Sequence, residues 1–369
     1  MSKAQNLAMR RNILPFFIPM QGCQQHCIYC DQWSISGSKQ PPNPAEIRAV
    51  LLAQNPAQPL QVAFYGGSFS ALPLAEQKAY LEAVQPAMQA GQVDSIRVST
   101  RPEAISTEKL QFLAAYGVRV IELGVQSFAA AVLKAAGRSY CPVEAIKACQ
   151  LINKAGLGLG IQLMTGLPQD DAQKSLSSML EACRLQPQII RIYPTLVLRG
   201  TPLANLYTAG GYQPQSLVAA AELAAEMLMI AKAHDIPVAR LGLDAAADLE
   251  QALVAGPYHP AFGELAYGAL KRQQAQELLG RTIKPTKLLF PPREHSLLFG
   301  HQRLQVRALQ ADYPGLVLQA APELSAGSLA SIAGCGDQQE LTVDEFAKQR
   351  LAKLLLAAGQ KTLHSTCAH

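Results

Sequence analysis

The chain has 369 residues, 49% of them hydrophobic and 16% charged, which suits one large domain plus an appendage or two ordinary domains and argues against disorder. A formal charge of +5 is too mild to argue for nucleic acid on its own. No apolar run of about 18 residues is free of charges or breakers, which excludes a transmembrane helix as an expectation.

The first apolar run, LPFFIPM (14–20), follows a basic start and is interrupted by Pro15 and Pro19, so it reads as a strand and not as a signal peptide. Five further runs follow: LQVAFYGG (60–67), SIRVSTR (95–101), VRVIELGVQS (118–127), LGLGIQLMTGLP (157–168) and IIRIYPTLVL (189–198). Helical stretches are expected between and after them, near 44–54, 74–90, 106–116, 142–155, 171–185 and 215–234, with Pro, Gly, Ser or Thr at most junctions. Six βα repeats imply parallel strands with right-handed crossovers, in an open doubly wound sheet or a barrel. Side-chain parity favours an incomplete barrel. Arg97, Ser99 and Arg101 share a face, as do Glu122 and Gln126, and Arg191 and Tyr193, while Gln162 interrupts an apolar run. A full eight-stranded barrel fills its interior with apolar residues, whereas a partial (β/α)6 barrel can line a cavity with polar ones.

After about residue 240 the rhythm changes, so domains are expected at 1–240 and 241–369, the second a smaller α+β domain with a role in substrate binding. Residues 271–307 hold eight Lys or Arg against two Glu, with Phe290, Phe299, His295 and His301 among them, a composition that suits RNA phosphates and stacked bases as well as solvated surface. The segment 304–320 reads as two strands joined at Tyr313-Pro314-Gly315. The end, 341–359, reads as a helix with a Thr342–Glu345 capping box. The tail HSTCAH offers two His and one Cys.

Three cysteines, Cys23, Cys27 and Cys30, fall within GCQQHCIYCDQW, spaced C-x3-C-x2-C directly after the first strand. In α/β barrels the loops at the carboxyl ends of strands build the active site. Thiolates at this density bind a soft metal or a cluster. Three of them satisfy three irons of a four-iron cube and leave the fourth open. Zinc with His26 or Asp31 as fourth ligand, and a Cys27/Cys30 redox pair, are the alternatives. Cys141, Cys149, Cys183, Cys335 and Cys367 are scattered, and read as reduced thiols of a cytoplasmic protein.

The cysteine spacing, with the aromatic Tyr29 before the last cysteine, resembles the signature of radical S-adenosylmethionine (radical SAM) enzymes. YGGSFS (65–70) resembles that family's glycine motif, with Ser68 where Glu is common. STRPEAI (99–105), IELGVQSF (121–128), GIQLMTGLP (160–168) and RIYPTLVLRGTPL (191–203) resemble strands of the Elongator-protein-3-like branch, and AGPYHPAFGEL (255–265) resembles an extension found in part of it. The resemblance implies a [4Fe–4S] cluster on Cys23, Cys27 and Cys30, with S-adenosylmethionine on the open iron. It implies reductive cleavage to a 5′-deoxyadenosyl radical, and a one-electron donor such as flavodoxin or ferredoxin. Cofactor contacts are implied at Tyr29, Gly66, Gly67, Ser68, Phe69, Glu122, Gln126, Gln162 and Arg199. Glu122 also reads as the salt-bridge partner of Arg97 or Arg101. Tyr193 and Arg191 are candidates to face substrate. The branch implies tRNA or another RNA as substrate, with coproporphyrinogen-like small-molecule oxidation as the alternative and a non-catalytic zinc or cluster RNA-binding module as a third reading. No acetyltransferase region is visible after residue 240, so acetyl transfer is not carried over.

Overall fold

The computed structural model describes residues 12–23, 26–244, 246–300 and 303–357. The six expected strands form as β1 (Ile13–Phe17), β2 (Leu60–Tyr65), β3 (Val93–Thr100), β4 (Val118–Gln126), β5 (Gly158–Thr165) and β6 (Ile189–Pro194). Two short strands follow, β7 (Val197–Leu198) and β8 (Val238–Leu241). The sheet runs in the order β1-β2-β3-β4-β5-β6-β8, every pairing is parallel, and it curls into a half-barrel. The seventh strand, β8, was not expected from the sequence. Strand β7 pairs antiparallel with β9 (Leu253–Ala255) outside that sheet.

The crossover helices sit where the start signals place them. Asn43 caps Pro44–Leu52 through its side chain while Glu46 reaches back to the Asn43 amide at 2.9 Å, a complete capping box. Ser106 caps Thr107–Ala115, and Asp171 caps Ala172–Arg184. Under β2 the rings of Phe64, Phe69 and Tyr80 pack with centroids 5.1 to 6.3 Å apart. Phe64 and Phe69 are completely buried, each contributing about 2–3 kcal/mol by area alone.

The chain divides into two compact units. Among the described residues, one holds the half-barrel and takes residues 12–216 with Ile236–Tyr258; the other takes Leu217–Asp235 and residues 259–357. The second unit contains a four-stranded sheet ordered β11-β10-β12-β13, built from β10 (Pro285–Phe290), β11 (Val317–Ala320), β12 (Ser328–Ala333) and β13 (Gln338–Thr342). Helices Leu217–Ala233, Phe262–Arg281 and Val343–Ala357 pack together in the same unit. Thr342 and Glu345 form the expected capping box. The reading of 304–320 as two strands is corrected: Leu304–Asp312 is a helix, and only Val317–Ala320 is a strand. Gln305, Val306 and Leu309 are its buried positions, an i, i+1, i+4 face that a short alternating window conceals. Cys149, Cys183 and Cys335 are free thiols as expected, whereas Cys141 is disulfide-bonded. His301, Cys367 and the HSTCAH tail lie outside the described residues.

Candidate active site

The inward faces of β1 to β8 and the loops after β1 and β2 enclose a cavity of about 480 Å³. The parity sets of the sequence meet there: Ser99 and Arg101, Glu122 and Gln126, Gln162, Arg191 and Tyr193 all line it. So do Cys23, Cys27, Cys30, Tyr29, Gly66 and Gly67. The cysteine loop and the glycine turn are locked together by backbone. The Ser68 amide donates to the Gln21 carbonyl at 2.7 Å, and the Gly67 amide donates to Gln32 Oε1, also at 2.7 Å. That Gln32 oxygen also accepts from the Met20 amide. A Cβ on Gly67, which has φ +21°, would lie 2.2 Å from the Gln21 carbonyl oxygen, so only glycine lets the two loops approach.

Burial pushes the Cys30 thiol up to about 12, with the neighbouring Cys27 and Cys23 acting in the same direction. Burial also raises Cys23, against the opposing pull of the Arg101 guanidinium. Arg138, which sequence reasoning missed, donates from Nη1 to Cys27 Sγ at 3.1 Å. It is fixed by bonds to the Gly124 carbonyl and to Tyr140, whose own hydroxyl donates to the Val125 carbonyl at 2.6 Å. No local pattern marks Arg138, which follows Gly137 after a six-residue helix.

At the opposite wall Glu122 accepts from Arg97 Nη1 and from Arg191 Nε, both at 2.6 Å, and from the Tyr65 hydroxyl at 3.1 Å. Burial alone would raise the Glu122 carboxyl; Arg191 and Arg97 outweigh it and hold it below its usual range. The salt-bridge partners are therefore Arg97 and Arg191, and not Arg101, which binds Glu103. Glu122 reaches β6 because the intervening β5 position is Gly160, where a Cβ would lie 2.9 Å from Glu122 Cγ. Gln162 donates to Gln126 Oε1 at 3.1 Å, and Gln126 sits at φ +66° where the β4–β5 register slips.

Three of the named residues lie away from the cavity lining. Ser68 points its hydroxyl to Thr100 at 3.1 Å, Phe69 is buried against Phe64, and Arg199 is exposed. Of the zinc candidates, His26 lines the cavity, while Asp31 caps the helix Gln32–Ser36 through Ser34. Among the described residues no group of three or more His, Cys, Asp or Glu is arranged to hold a single metal ion.

The radical SAM superfamily profile matches residues 17–178, and the radical SAM C-terminal domain profile matches residues 187–272. The chain belongs to the radical SAM superfamily, an enzyme family whose members bind a [4Fe–4S] cluster and S-adenosylmethionine. Among its relatives, the tRNA uridine(34) acetyltransferase of Methanocaldococcus jannaschii is 25% identical over 190 residues, covering 46% of this chain and 35% of that protein. The heme chaperone HemW of Escherichia coli is 27% identical over 188 residues, covering 49% of this chain and 50% of that protein. The chain thus matches a third to a half of the length of these relatives. The archaeal Methanocaldococcus infernus Elp3 with an N-terminal deletion shares the fold, with a TM-score of 0.55 at 22% identity over 71% of this chain and 63% of that one. The residues present fit the family's cofactors. Three thiols line one cavity, two guanidiniums stand beside them, and the Gly66-Gly67 backbone faces the same space.

Proposed function

We propose that the chain holds a [4Fe–4S] cluster on Cys23, Cys27 and Cys30 and S-adenosylmethionine in the adjoining cavity, and that it modifies RNA, with tRNA the favoured substrate. The observation that carries this is the meeting of the three thiols and the Gly66-Gly67 turn in one cavity at the carboxyl ends of parallel strands. Bound there, the cluster and cofactor would supply one-electron reductive chemistry for taking a hydrogen atom from the substrate. The chain's own residues bind and orient. Gly66 and Gly67 offer backbone at close approach, and Arg138 offers charge beside Cys27. The amides of Gln126 and Gln162 present hydrogen-bonding groups to the cavity.

The RNA reading draws on the tRNA uridine(34) acetyltransferase relative and on the second unit. There the exposed His295 ring stacks on Phe299 at 3.9 Å, and Arg303 lies over the Phe299 ring at 5.6 Å, a surface of the kind on which unpaired bases stack. Phe290, grouped with them in the sequence, is buried. A cytoplasmic setting and a flavodoxin or ferredoxin as electron donor belong to the same proposal; no helix of the described residues is long and apolar enough to cross a membrane. A second reading, oxidation or rearrangement of a small molecule, is favoured by the cavity volume, which is of small-molecule scale.

Anaerobic reconstitution tests the class. The expected result is about four irons per chain and 5′-deoxyadenosine on reduction. Stoichiometric zinc without cofactor cleavage would overturn it. Mass spectrometry of RNA nucleosides and metabolites from a deletion strain separates the two substrate readings.

A further inference from the structure

The same cavity carries more cationic than anionic side chains, and the position of the surplus names what the substrate brings; this rests on the proposed reading of the cavity as an active site. Arg191 on β6 and Arg240 on β8 are register partners on adjacent parallel strands, and both line the cavity. Two guanidiniums side by side on one sheet face repel unless an anion lies with them.

The carboxylates at hand meet that need only in part. Glu122 is shared, because Arg97 and Arg191 each donate to it at 2.6 Å, so two cations draw on one buried anion. Arg240 pairs with Asp244, whose side chain is 79% exposed and therefore strongly screened by water. Arg101 and Arg138 are committed at the cysteine end of the cavity, to Glu103 and to Cys27. Arg191 holds Glu122 through both Nε and Nη2 and also donates to the Tyr65 hydroxyl, yet around the Arg191–Arg240 edge three guanidiniums, Arg97, Arg191 and Arg240, face only two carboxylates, Glu122 and Asp244, which leaves one positive charge unbalanced there. The Arg191 guanidinium lies over the Tyr65 ring, 5.2 Å from its centroid, and Phe17 and Tyr193 also line the cavity.

We propose that Arg191 and Arg240 form an oxyanion-binding edge of the cavity, and that the substrate enters with a carboxylate or phosphate directed at it. The planar guanidinium fork matches both groups.

The test uses the reconstituted full chain with saturating S-adenosylhomocysteine, so that the cofactor's own carboxylate is already provided for. Methyl phosphate in one arm and propionate in the other are titrated at fixed ionic strength and followed by NMR line broadening. The expected result is saturable binding of at least one probe, one site per chain. Binding weakens about tenfold or more in Arg191→Gln and in Arg240→Gln, the scale of one charge-assisted hydrogen bond. Arg191→Lys retains part of it, and Arg184→Gln, which removes an exposed ion pair with Glu181, retains all of it. The arm that binds identifies the oxyanion. Arg240→Gln leaves Glu122 untouched and so stands even where Arg191→Gln unfolds. Three results would overturn the inference: neither probe binding saturably, both glutamine variants binding as the parent does, or S-adenosylhomocysteine competing with the probe. Loss of 5′-deoxyadenosine formation with anion binding intact would count against the proposed function alone. Retained cofactor cleavage without anion binding would count against this inference alone.

Discussion

Arg138 and Cys27 stand 111 residues apart in sequence, yet the Arg138 guanidinium donates to the Cys27 sulfur at 3.1 Å. A hydrogen bond in which one partner is charged contributes about 1.5–3 kcal/mol. The contact ties the loop after β1 to the segment after β4. Arg138→Gln is expected to at least halve iron loading of the reconstituted protein at pH 7, with helix content by circular dichroism unchanged. Unchanged loading, together with an unchanged cluster reduction potential, would reduce the contact to packing.

Gly67 allows the glycine turn to lie against the cysteine loop. In Gly67→Ala the new Cβ meets the Gln21 carbonyl oxygen, which belongs to rigid backbone. The expected outcome is loss of cluster assembly in a protein that still unfolds cooperatively, read by iron content and urea denaturation. Normal assembly would show that the two loops are free to separate.

Gly160 is the gap through which Glu122 reaches Arg191. Gly160→Ala brings Cβ to 2.9 Å from Glu122 Cγ and 3.2 Å from Ile189 Cγ1. Overpacking of this kind costs about 1–3 kcal/mol. Double-mutant cycles with Arg191→Lys should be non-additive, because both changes act on one ion-pair network. Additive effects would place the damage elsewhere.

Phe69 separates core from cofactor roles. Phe69→Ala should cost about 3–5 kcal/mol, as large-to-small changes in a packed core do. Cofactor affinity per folded molecule should remain unchanged by equilibrium dialysis. A selective loss of affinity at unchanged stability would restore a direct contact.

Cys149 and Cys183 are buried free thiols outside the cysteine loop, and burial pushes each up to about 12 from an ordinary value of 9.0. The neutral thiol is favoured in the folded chain. Their contribution to stability is therefore fully present below pH 9 and is lost as pH rises through 9 toward 12. Urea midpoints of the cluster-free protein should be level from pH 7 to about 8.5 and fall beyond it. Cys149→Ala should shallow that fall; an identical slope in the variant would remove the thiol from the explanation.

The βα rhythm, the helix caps and the period-two polar sets are local patterns, and each came through into β1 to β6, their crossover helices and the lined cavity. The Cys23-Cys27-Cys30 spacing and the Gly66-Gly67 turn were equally legible, since each lies within a few residues of chain. Strand β8 was not, because four residues, VARL, carry too little alternation to stand out. Leu304–Asp312 misled because a nine-residue window fits either period. What the tertiary structure alone decided is which side chains meet. Phe69 lies in the core, Arg199 is exposed, Arg138 meets Cys27, and Arg191 is the register partner of Arg240. Strand order and register determine such contacts, and neither is written in any single segment.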